Sequence, residues 1–139
     1  MIALDTNILA RFYVDDPNDS QAAKQRPIAQ RIMVESTYLF VPLTIVLELE
    51  WVLRAFYGFN VDNFTRFIEH LLGLGHVTVE DWPRVSDALA LHRAGLDFAD
   101  ALHLRSSEHC ATLLSFDKRR FAHRAARLGA KPPVQVPDP

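Results

Sequence analysis

The stretch Ile2-Ala3-Leu4-Asp5-Thr6-Asn7 leads a short apolar strand into an aspartate and then into a helix. The same pattern occurs once more, because the strand predicted at residues 111–116 ends at Asp117. Open α/β sheets bind their ligands outside the carboxyl ends of the strands. The sequence therefore predicts that Asp5 and Asp117 lie at one edge of a parallel sheet, far apart in the chain and close in space.

Strands and helices alternate over the rest of the chain, which is typical of a parallel sheet covered by helices on both faces. The predicted strands are residues 2–5, which are expected to be buried, 38–41, 76–79 and 111–116, with a short edge strand between 131 and 137. The predicted helices are residues 7–14, 20–34 with a bend or restart near Pro27, 44–56 with Thr44 as N-cap, 62–72, 81–93, 97–109 and 118–127. No repeat or linker interrupts this order, so residues 1–139 are predicted to form a single α/β domain.

The composition is that of an ordinary globular domain. The chain has 139 residues, of which 49% are apolar and 23% are charged, and this length allows a real core. The single cysteine, Cys110, is predicted to be inert core; it excludes an internal disulfide and fits a reducing compartment. No signal peptide and no apolar run long enough to cross a bilayer is visible. We therefore expect a cytoplasmic protein with no membrane partner.

Basic residues are unevenly distributed along a chain whose net charge is −2. The segment from Lys118 to Lys131 contains six lysines or arginines and no acid, whereas acids concentrate elsewhere, as at Asp15, Asp16 and Asp19. A cationic segment directly after a candidate carboxylate site suits a polyanionic substrate. The alternative is a solvated helix face without a binding role.

Glu48 and Asp100 lie within helical segments that are otherwise mostly apolar. Desolvation disfavours an ionised carboxylate, and several carboxylates gathered at one place repel one another and favour a bound cation. Together with Asp5 and Asp117, they predict a divalent-metal site at the strand ends, suited to phosphodiester chemistry.

Each strand-end acid also has a structural interpretation. Asp5 and Asp117 could cap the helices that follow them, as Asp commonly does. Thr6 or Asn7 could cap the first helix instead, which would leave Asp5 free. Ser115 offers a hydroxyl that could hold a water or a carboxylate.

The helical acids have structural alternatives as well. Asp97 is predicted to be an N-cap or first-turn acid, and Asp100 could form a salt bridge with an arginine. Glu50 is predicted to form a solvated surface pair with Arg54. Glu48 has no basic residue three or four positions further on, so its partner must come from elsewhere in the chain.

Other kinds of active site lack their motifs here. The histidines show no zinc-binding spacing, and the chain has no G-x-S-x-G, P-loop or G-x-G-x-x-G sequence. Two alternatives to a nuclease stay open. One is a noncatalytic partner-binding module whose acids are caps and salt bridges. The other is a metal-dependent phosphatase, although Asp5 is followed by Thr6-Asn7 rather than by the second aspartate of a D-x-D motif.

The motifs resemble the PIN domain and, within it, the VapC-type toxins of prokaryotic toxin–antitoxin pairs. The resemblance spans nearly the whole chain and rests on Leu4–Asn7, Leu47–Leu53, Gly95–Ala101 and Leu114–Arg119, in this order and spacing. One departure is Ser115, where the family usually has threonine. The hydroxyl group is retained, so little loss is expected.

The resemblance implies a three-layer α/β/α sandwich with a central, mainly parallel sheet. It also implies an endoribonuclease dependent on Mg²⁺ or Mn²⁺, an antitoxin partner and a homodimer. The metal ligands and catalytic acids carry over to Asp5, Glu48, Asp100 and Asp117, and Thr6, Asn7, Asp97 and Ser115 are expected to support them. Arg11, Lys118, Arg119 and Arg120 are expected to guide the RNA backbone.

Aromatic residues concentrate around the end of the predicted helix 44–56 and in the helix that follows. They are Trp51, Phe56, Tyr57, Phe59, Phe64 and Phe67. Most should pack in the core, and an exposed remainder would form an apolar groove between helices. By resemblance, a helix of the antitoxin should fill this groove, while its tail reaches the acidic pocket.

Overall fold

The protein is described here by a computed structural model that covers residues 1–139. The chain forms two compact units, an N-terminal unit of Met1–Trp82 and a C-terminal unit of Pro83–Pro139. None of the helices is both long enough and apolar enough to span a membrane.

The N-terminal unit contains a parallel sheet of three short strands in the order β1-β2-β3. Its elements are β1 (Ile2–Ala3), α1 (Thr6–Tyr13), α2 (Ser20–Glu35), β2 (Leu39–Val41), α3 (Leu43–Tyr57), α4 (Val61–Leu72) and β3 (Val77–Val79). Ile2 is in register with Leu39, and Phe40 with Thr78. The carboxyl end of β1 therefore leads directly into α1, which places Asp5 at the junction.

The C-terminal unit contains a parallel pair of strands, with Leu113 opposite Val134. Its elements are α5 (Trp82–Arg93), α6 (Phe98–Ser106), β4 (Leu113–Leu114), a π-helical turn (Lys118–Ala122), α7 (His123–Arg127) and β5 (Val134–Gln135). The predicted edge strand in the tail is β5. The segment predicted as one helix, 118–127, begins with the π-helical turn instead.

The predicted α/β class with parallel strands is confirmed, and it is the class of a PIN-like fold. The strands form one sheet of three and one of two. The organisation of residues 1–139 as a single domain stays a prediction.

Helix ends depart from the predictions where their partners are distant in sequence. The predicted cap Thr44 is wrong, because α3 begins at Leu43, directly after Pro42. The backbone N–H of Leu43 donates to Oε1 of Glu80 at 3.1 Å, so the cap comes from the segment after β3. Pro27 lies inside a single helix, α2, which does not restart there.

Three burial predictions are wrong. Ile2 is 57% exposed rather than buried, because β1 is an edge strand of two residues paired on one side only. Cys110 is exposed, because it follows the end of α6 rather than packing in the core. Glu50 pairs with Arg54 at 2.9 Å as predicted, but Glu50 is buried and only the arginine is well exposed.

Candidate functional site

A cavity of about 440 Å³ opens in the N-terminal unit beside the junction of β1 and α1. It is lined by five residues selected from the sequence, which are Asp5, Thr6, Asn7, Arg11 and Glu48, and also by Asp16, Asp19, Val52, Phe56 and Tyr57. Helices α1 and α3 and the start of α2 provide this lining. We call it the acidic cavity.

Asp5 is the N-cap of α1. Its Oδ1 accepts the backbone N–H of Thr6 at 2.8 Å, so the capping role suggested for Asp5 is found, and the alternative caps Thr6 and Asn7 are not used. The carboxylate still has its second oxygen, Oδ2, which accepts no hydrogen bond from the protein. Capping and ligand binding are therefore compatible at Asp5.

Glu48 on α3 obtains its partner from α1. The hydroxyl of Thr6, a buried residue, donates a short hydrogen bond to Oε1 of Glu48 across 42 positions of sequence. Glu48 itself is exposed to the cavity, so the apolar surroundings expected from its sequence neighbours are not found. It forms no ion pair with a lysine or arginine.

Two acids of the acidic cavity were not selected from the sequence. Asp16 and Asp19 lie in the segment between α1 and α2, and Asp19 is the N-cap of α2, accepting the backbone N–H groups of Gln21 and Ala22. The position of Asp19 directly before a predicted helix was a usable signal for a cap. Nothing local indicated that this cap would face Asp5 and Glu48.

A second group of carboxylates lies in the C-terminal unit at the start of α6. Asp97 is the N-cap, as predicted, and its Oδ1 accepts the backbone N–H of Asp100 at 3.1 Å. Burial raises the pKa of the Asp100 carboxyl, and the negative charges of Asp97 and Asp117 raise it further. His103 and Arg124 act in the opposite direction but more weakly.

Asp100 forms no salt bridge with an arginine, so the structural alternative raised for it is not found. An acid that is half-buried among like charges is stabilised by a nearby cation, since a cation offsets both the repulsion and the lost hydration.

Asp117 caps the π-helical turn, because its Oδ1 accepts the backbone N–H of Arg120 at 2.9 Å. Ser115 supports this turn, since its hydroxyl accepts the backbone N–H of Asp117 at 3.1 Å instead of holding a carboxylate. The next three residues, Lys118, Arg119 and Arg120, are exposed and form no ion pair. Their charges are therefore available to a polyanion.

The ligand chemistry of both groups fits Mg²⁺ or Mn²⁺. The candidate donors are carboxylate and hydroxyl oxygens, which these ions prefer, rather than the nitrogen and sulfur atoms typical of zinc sites. Neither unit brings three or more His, Cys, Asp or Glu side chains close enough to hold an ion as they stand. The convergence of all four predicted ligands on one ion stays a prediction.

A larger groove of about 790 Å³ runs between α1, α2 and α4 of the same N-terminal unit. Its lining is Phe12, Tyr13, Arg26, Gln30, Tyr57, Phe59, Asn63, Arg66, Phe67 and His70. We call it the aromatic groove. Tyr57 and Phe59 were among the aromatic residues predicted to form such a groove. The expectation that most of that set packs in the core is wrong, because only Phe64 and Phe67 are buried, whereas Trp51 and Phe56 are exposed.

The walls of the aromatic groove are held by ring contacts and by side-chain hydrogen bonds. The rings of Tyr13 and Phe67 pack with centroids 3.9 Å apart, and the Tyr13 hydroxyl lies 2.7 Å from Nδ1 of His70. Burial raises the pKa of the Tyr13 hydroxyl well above its ordinary value, so this group is neutral under physiological conditions. Trp51 and Phe56 lie outside this groove, where they pack edge-to-face on each other.

A comparison with protein families matches residues 2–127 to the PIN domain. The chain belongs to the PIN domain family. The match includes all the acids described above and extends over both units, ending before β5. No curated protein compared with the chain gives a significant match.

PIN domains are generally nucleases that act on RNA or other nucleic acids with the help of divalent metal ions. Membership therefore assigns the chain to the nucleases in general terms.

Proposed function

We propose that this PIN domain is an endoribonuclease dependent on Mg²⁺ or Mn²⁺, and the toxin of a toxin–antitoxin pair. The observation that carries the proposal is that Glu48 and Asp100 neither cap a helix nor form a salt bridge with a lysine or arginine. A noncatalytic module whose acids serve as caps and salt bridges would leave these two unexplained. The remaining acids, Asp5 and Asp117, do cap helices but keep a free carboxylate oxygen.

We assign Asp5, Glu48, Asp100 and Asp117 as metal ligands. A bound ion of this type polarises a phosphodiester and lowers the pKa of a coordinated water. Thr6 holds Glu48 through its hydroxyl, and Asp97 holds the backbone of Asp100 through its cap.

Six further residues complete the proposed support and binding roles. Asn7 lines the acidic cavity as the second residue of α1, and Ser115 fixes the backbone that carries Asp117. Arg11, together with the exposed Lys118, Arg119 and Arg120, provides positive charge for the RNA backbone. This charge offsets the negative potential of the acids, which would otherwise repel the substrate.

The proposed partner is an antitoxin that seats a helix in the aromatic groove. The volume of the groove, its aromatic walls and its position beside the acidic cavity support this choice. Such an antitoxin would inhibit cleavage while bound. We further propose, from the family resemblance, that residues 1–139 act as one domain, that the enzyme is a homodimer, and that it acts on RNA in the cytoplasm.

Cleavage assays on the purified protein test the proposal. We expect RNA cleavage in Mg²⁺ or Mn²⁺, its loss in EDTA, and its loss in Glu48→Gln and Asp100→Asn. Asp62→Asn is the matched control, because Asp62 is an exposed acid in the first turn of α4, outside both carboxylate groups. Undiminished cleavage by purified Asp100→Asn would refute the assigned role of that residue.

Two further measurements separate the alternatives. Hydrolysis of a small phosphomonoester without RNA cleavage would favour a phosphatase. A thermal-shift titration should show Mg²⁺ raising the melting temperature of the wild type, because a ligand that binds only the folded state stabilises it. Asp5→Asn and Asp100→Asn should both weaken this shift if their carboxylates serve the same ion.

A further inference from the structure

Arg11 occupies an unusual electrostatic position in the acidic cavity. It shares the cavity lining with Asp5, Asp16, Asp19 and Glu48, yet it forms an ion pair with none of them. An arginine among four acids would ordinarily pair with one of them, because the guanidinium fork matches the geometry of a carboxylate.

Two neutral side chains hold the guanidinium instead. Nε donates to Oε1 of Gln25 on α2 at 2.9 Å, and Nη1 donates to the hydroxyl of Tyr57 at the end of α3 at 2.8 Å. These hydrogen bonds restrain the orientation of the fork without neutralising its charge. Nη2 donates to no protein group, so its hydrogens remain available to a ligand.

We propose that Gln25 and Tyr57 are positioning residues that hold Arg11 ready to bind a phosphodiester of the RNA beside the acids. This inference rests on the proposed ribonuclease function and identifies what directs its substrate to the acidic cavity. A guanidinium restrained before binding loses less conformational freedom when it binds, which favours affinity. Its charge also remains in full, which a carboxylate partner would have cancelled.

RNA binding tests the inference without turnover. The affinity of the full-length protein for a fluorescent single-stranded RNA is measured by anisotropy in Ca²⁺, for the wild type and for Arg11→Gln, Tyr57→Phe, Gln25→Met and the double variant Arg11→Gln/Tyr57→Phe. We expect Arg11→Gln to weaken binding about tenfold, as the loss of a charge-assisted hydrogen bond does. It should also reduce the salt dependence by about one phosphate contact.

The positioning variants should act only through Arg11. Tyr57→Phe and Gln25→Met each keep the size of the side chain and should weaken binding about threefold, since they free the guanidinium to reorient. The double variant should bind no more weakly than Arg11→Gln alone, because the hydroxyl has no role once the guanidinium is absent. In cleavage assays Tyr57→Phe should raise KM while leaving kcat nearly unchanged. Tyr38→Phe, at an exposed tyrosine that makes no side-chain hydrogen bond, is the control.

Three results would overturn the inference. The first is wild-type RNA affinity in Arg11→Gln. The second is wild-type RNA affinity in both Tyr57→Phe and Gln25→Met. The third is a double variant whose loss of RNA affinity equals the sum of the two single losses. Failure of the proposed function gives a different result, because a wild-type protein that binds RNA in Ca²⁺ but does not cleave it in Mg²⁺ would refute the ribonuclease. In that case the RNA affinities of the single and double variants would still support or overturn the positioning roles of Gln25 and Tyr57.

Discussion

Asp100 is the residue at which burial and like charge act together. Burial, Asp97 and Asp117 raise the pKa of its carboxyl in the folded protein. The folded state therefore holds this proton more tightly than the unfolded chain does. The stabilisation that results is fully present below the unfolded pKa and is lost as the pH rises through the raised, folded pKa.

The direction of this pKa shift gives a prediction for the stability of the metal-free protein. Asp100→Asn should be more stable than the wild type at neutral pH, because the substitution removes an ionised group from a half-buried, negatively charged site. The difference should disappear in acid, where Asp100 is protonated in both states. Urea unfolding in EDTA at several pH values measures it, with Asp62→Asn as the control. Equal stability of Asp100→Asn and the wild type at neutral pH would contradict the assigned electrostatics.

Thr6 allows a second test at the scale of single residues. Thr6→Val removes the hydroxyl that donates to Glu48, so cleavage should fall about tenfold or more, as when the hydrogen-bond support of a metal ligand is removed. Thr6→Ser should retain most of the activity. Thr65→Val is the matched control, because Thr65 is equally buried but its hydroxyl donates only to the carbonyl of Val61. Both valine variants should lose about 1 kcal/mol of stability. Equal cleavage by the two would eliminate the supporting role of Thr6.

Local roles of single residues could be predicted from the sequence, whereas distant partners could not. Asp97 was predicted as an N-cap because the residue type and the start of a helical pattern suffice for that inference. The partner of Glu48 is 42 positions away and the second partner of Arg11 is 46 positions away. Contacts of this kind depend on how α1 packs against α3, which no local pattern specifies.

At the scale of elements, α2 contains a proline where a helix is least tolerant of one. Pro27 lies in the middle of a 16-residue helix, so it removes one backbone hydrogen bond and crowds the preceding turn. The helix persists because its Asp19 cap satisfies two of the first N–H groups and because Ala22, Ala29 and Met33 are buried. Tertiary packing therefore outweighs the local preference to end the helix.

Replacing this proline should stabilise the protein. Pro27→Ala should raise the free energy of unfolding by about 1–2 kcal/mol, since an interior proline disfavours a helix by about 3 kcal/mol and part of this is offset by the stiffer unfolded chain. Pro27 is exposed, so the substitution removes little packing. Denaturant unfolding measures the effect, with Ala23→Gly, an exposed position of the same helix, expected to change stability in the opposite direction. A loss of stability in Pro27→Ala would show that the ring is required.

Element types were predicted better than element ends. All seven predicted helical segments and all five strands have counterparts, because the apolar periodicity of each segment is visible without its neighbours. The strands are shorter than predicted, and the N-cap of α3 is misplaced by two residues, Thr44 for Pro42, because Glu80 accepts the first N–H of the helix. Strand length depends on pairing, and pairing is a property of the sheet rather than of the strand.

At the scale of the whole molecule, the family match extends over both units, and the aromatic groove lies entirely within the first. The class of fold was predictable, because the alternation of strands and helices is visible in the sequence. The groove was only partly predictable. Its aromatic residues are visible in the sequence, but Arg26, Gln30 and Arg66 on its walls are surface-type residues that only the packing of helices brings together.

The groove gives a prediction about assembly. Phe59→Asp should weaken the complex with the proposed antitoxin by at least about tenfold, because it places a charge in an apolar wall. Co-purification followed by titration calorimetry measures this, and circular dichroism checks the fold of the variant. Val34→Asp is the control, because Val34 is 76% exposed and lies outside the groove lining. An unchanged affinity in Phe59→Asp would mean that the partner binds elsewhere.

Tyr57 lines both the aromatic groove and the acidic cavity, and its hydroxyl holds Arg11. One side chain therefore contributes to two proposed roles, the binding of a partner in the groove and the binding of RNA through Arg11. A substitution of Tyr57 would alter both together, so a duplicated copy of the gene could not acquire a new partner through Tyr57 without also releasing Arg11. In duplicated copies, substitutions that change the partner should instead occur at positions that line the groove alone, such as Phe12, Asn63 and Arg66. At these positions partner binding can change while RNA binding is retained.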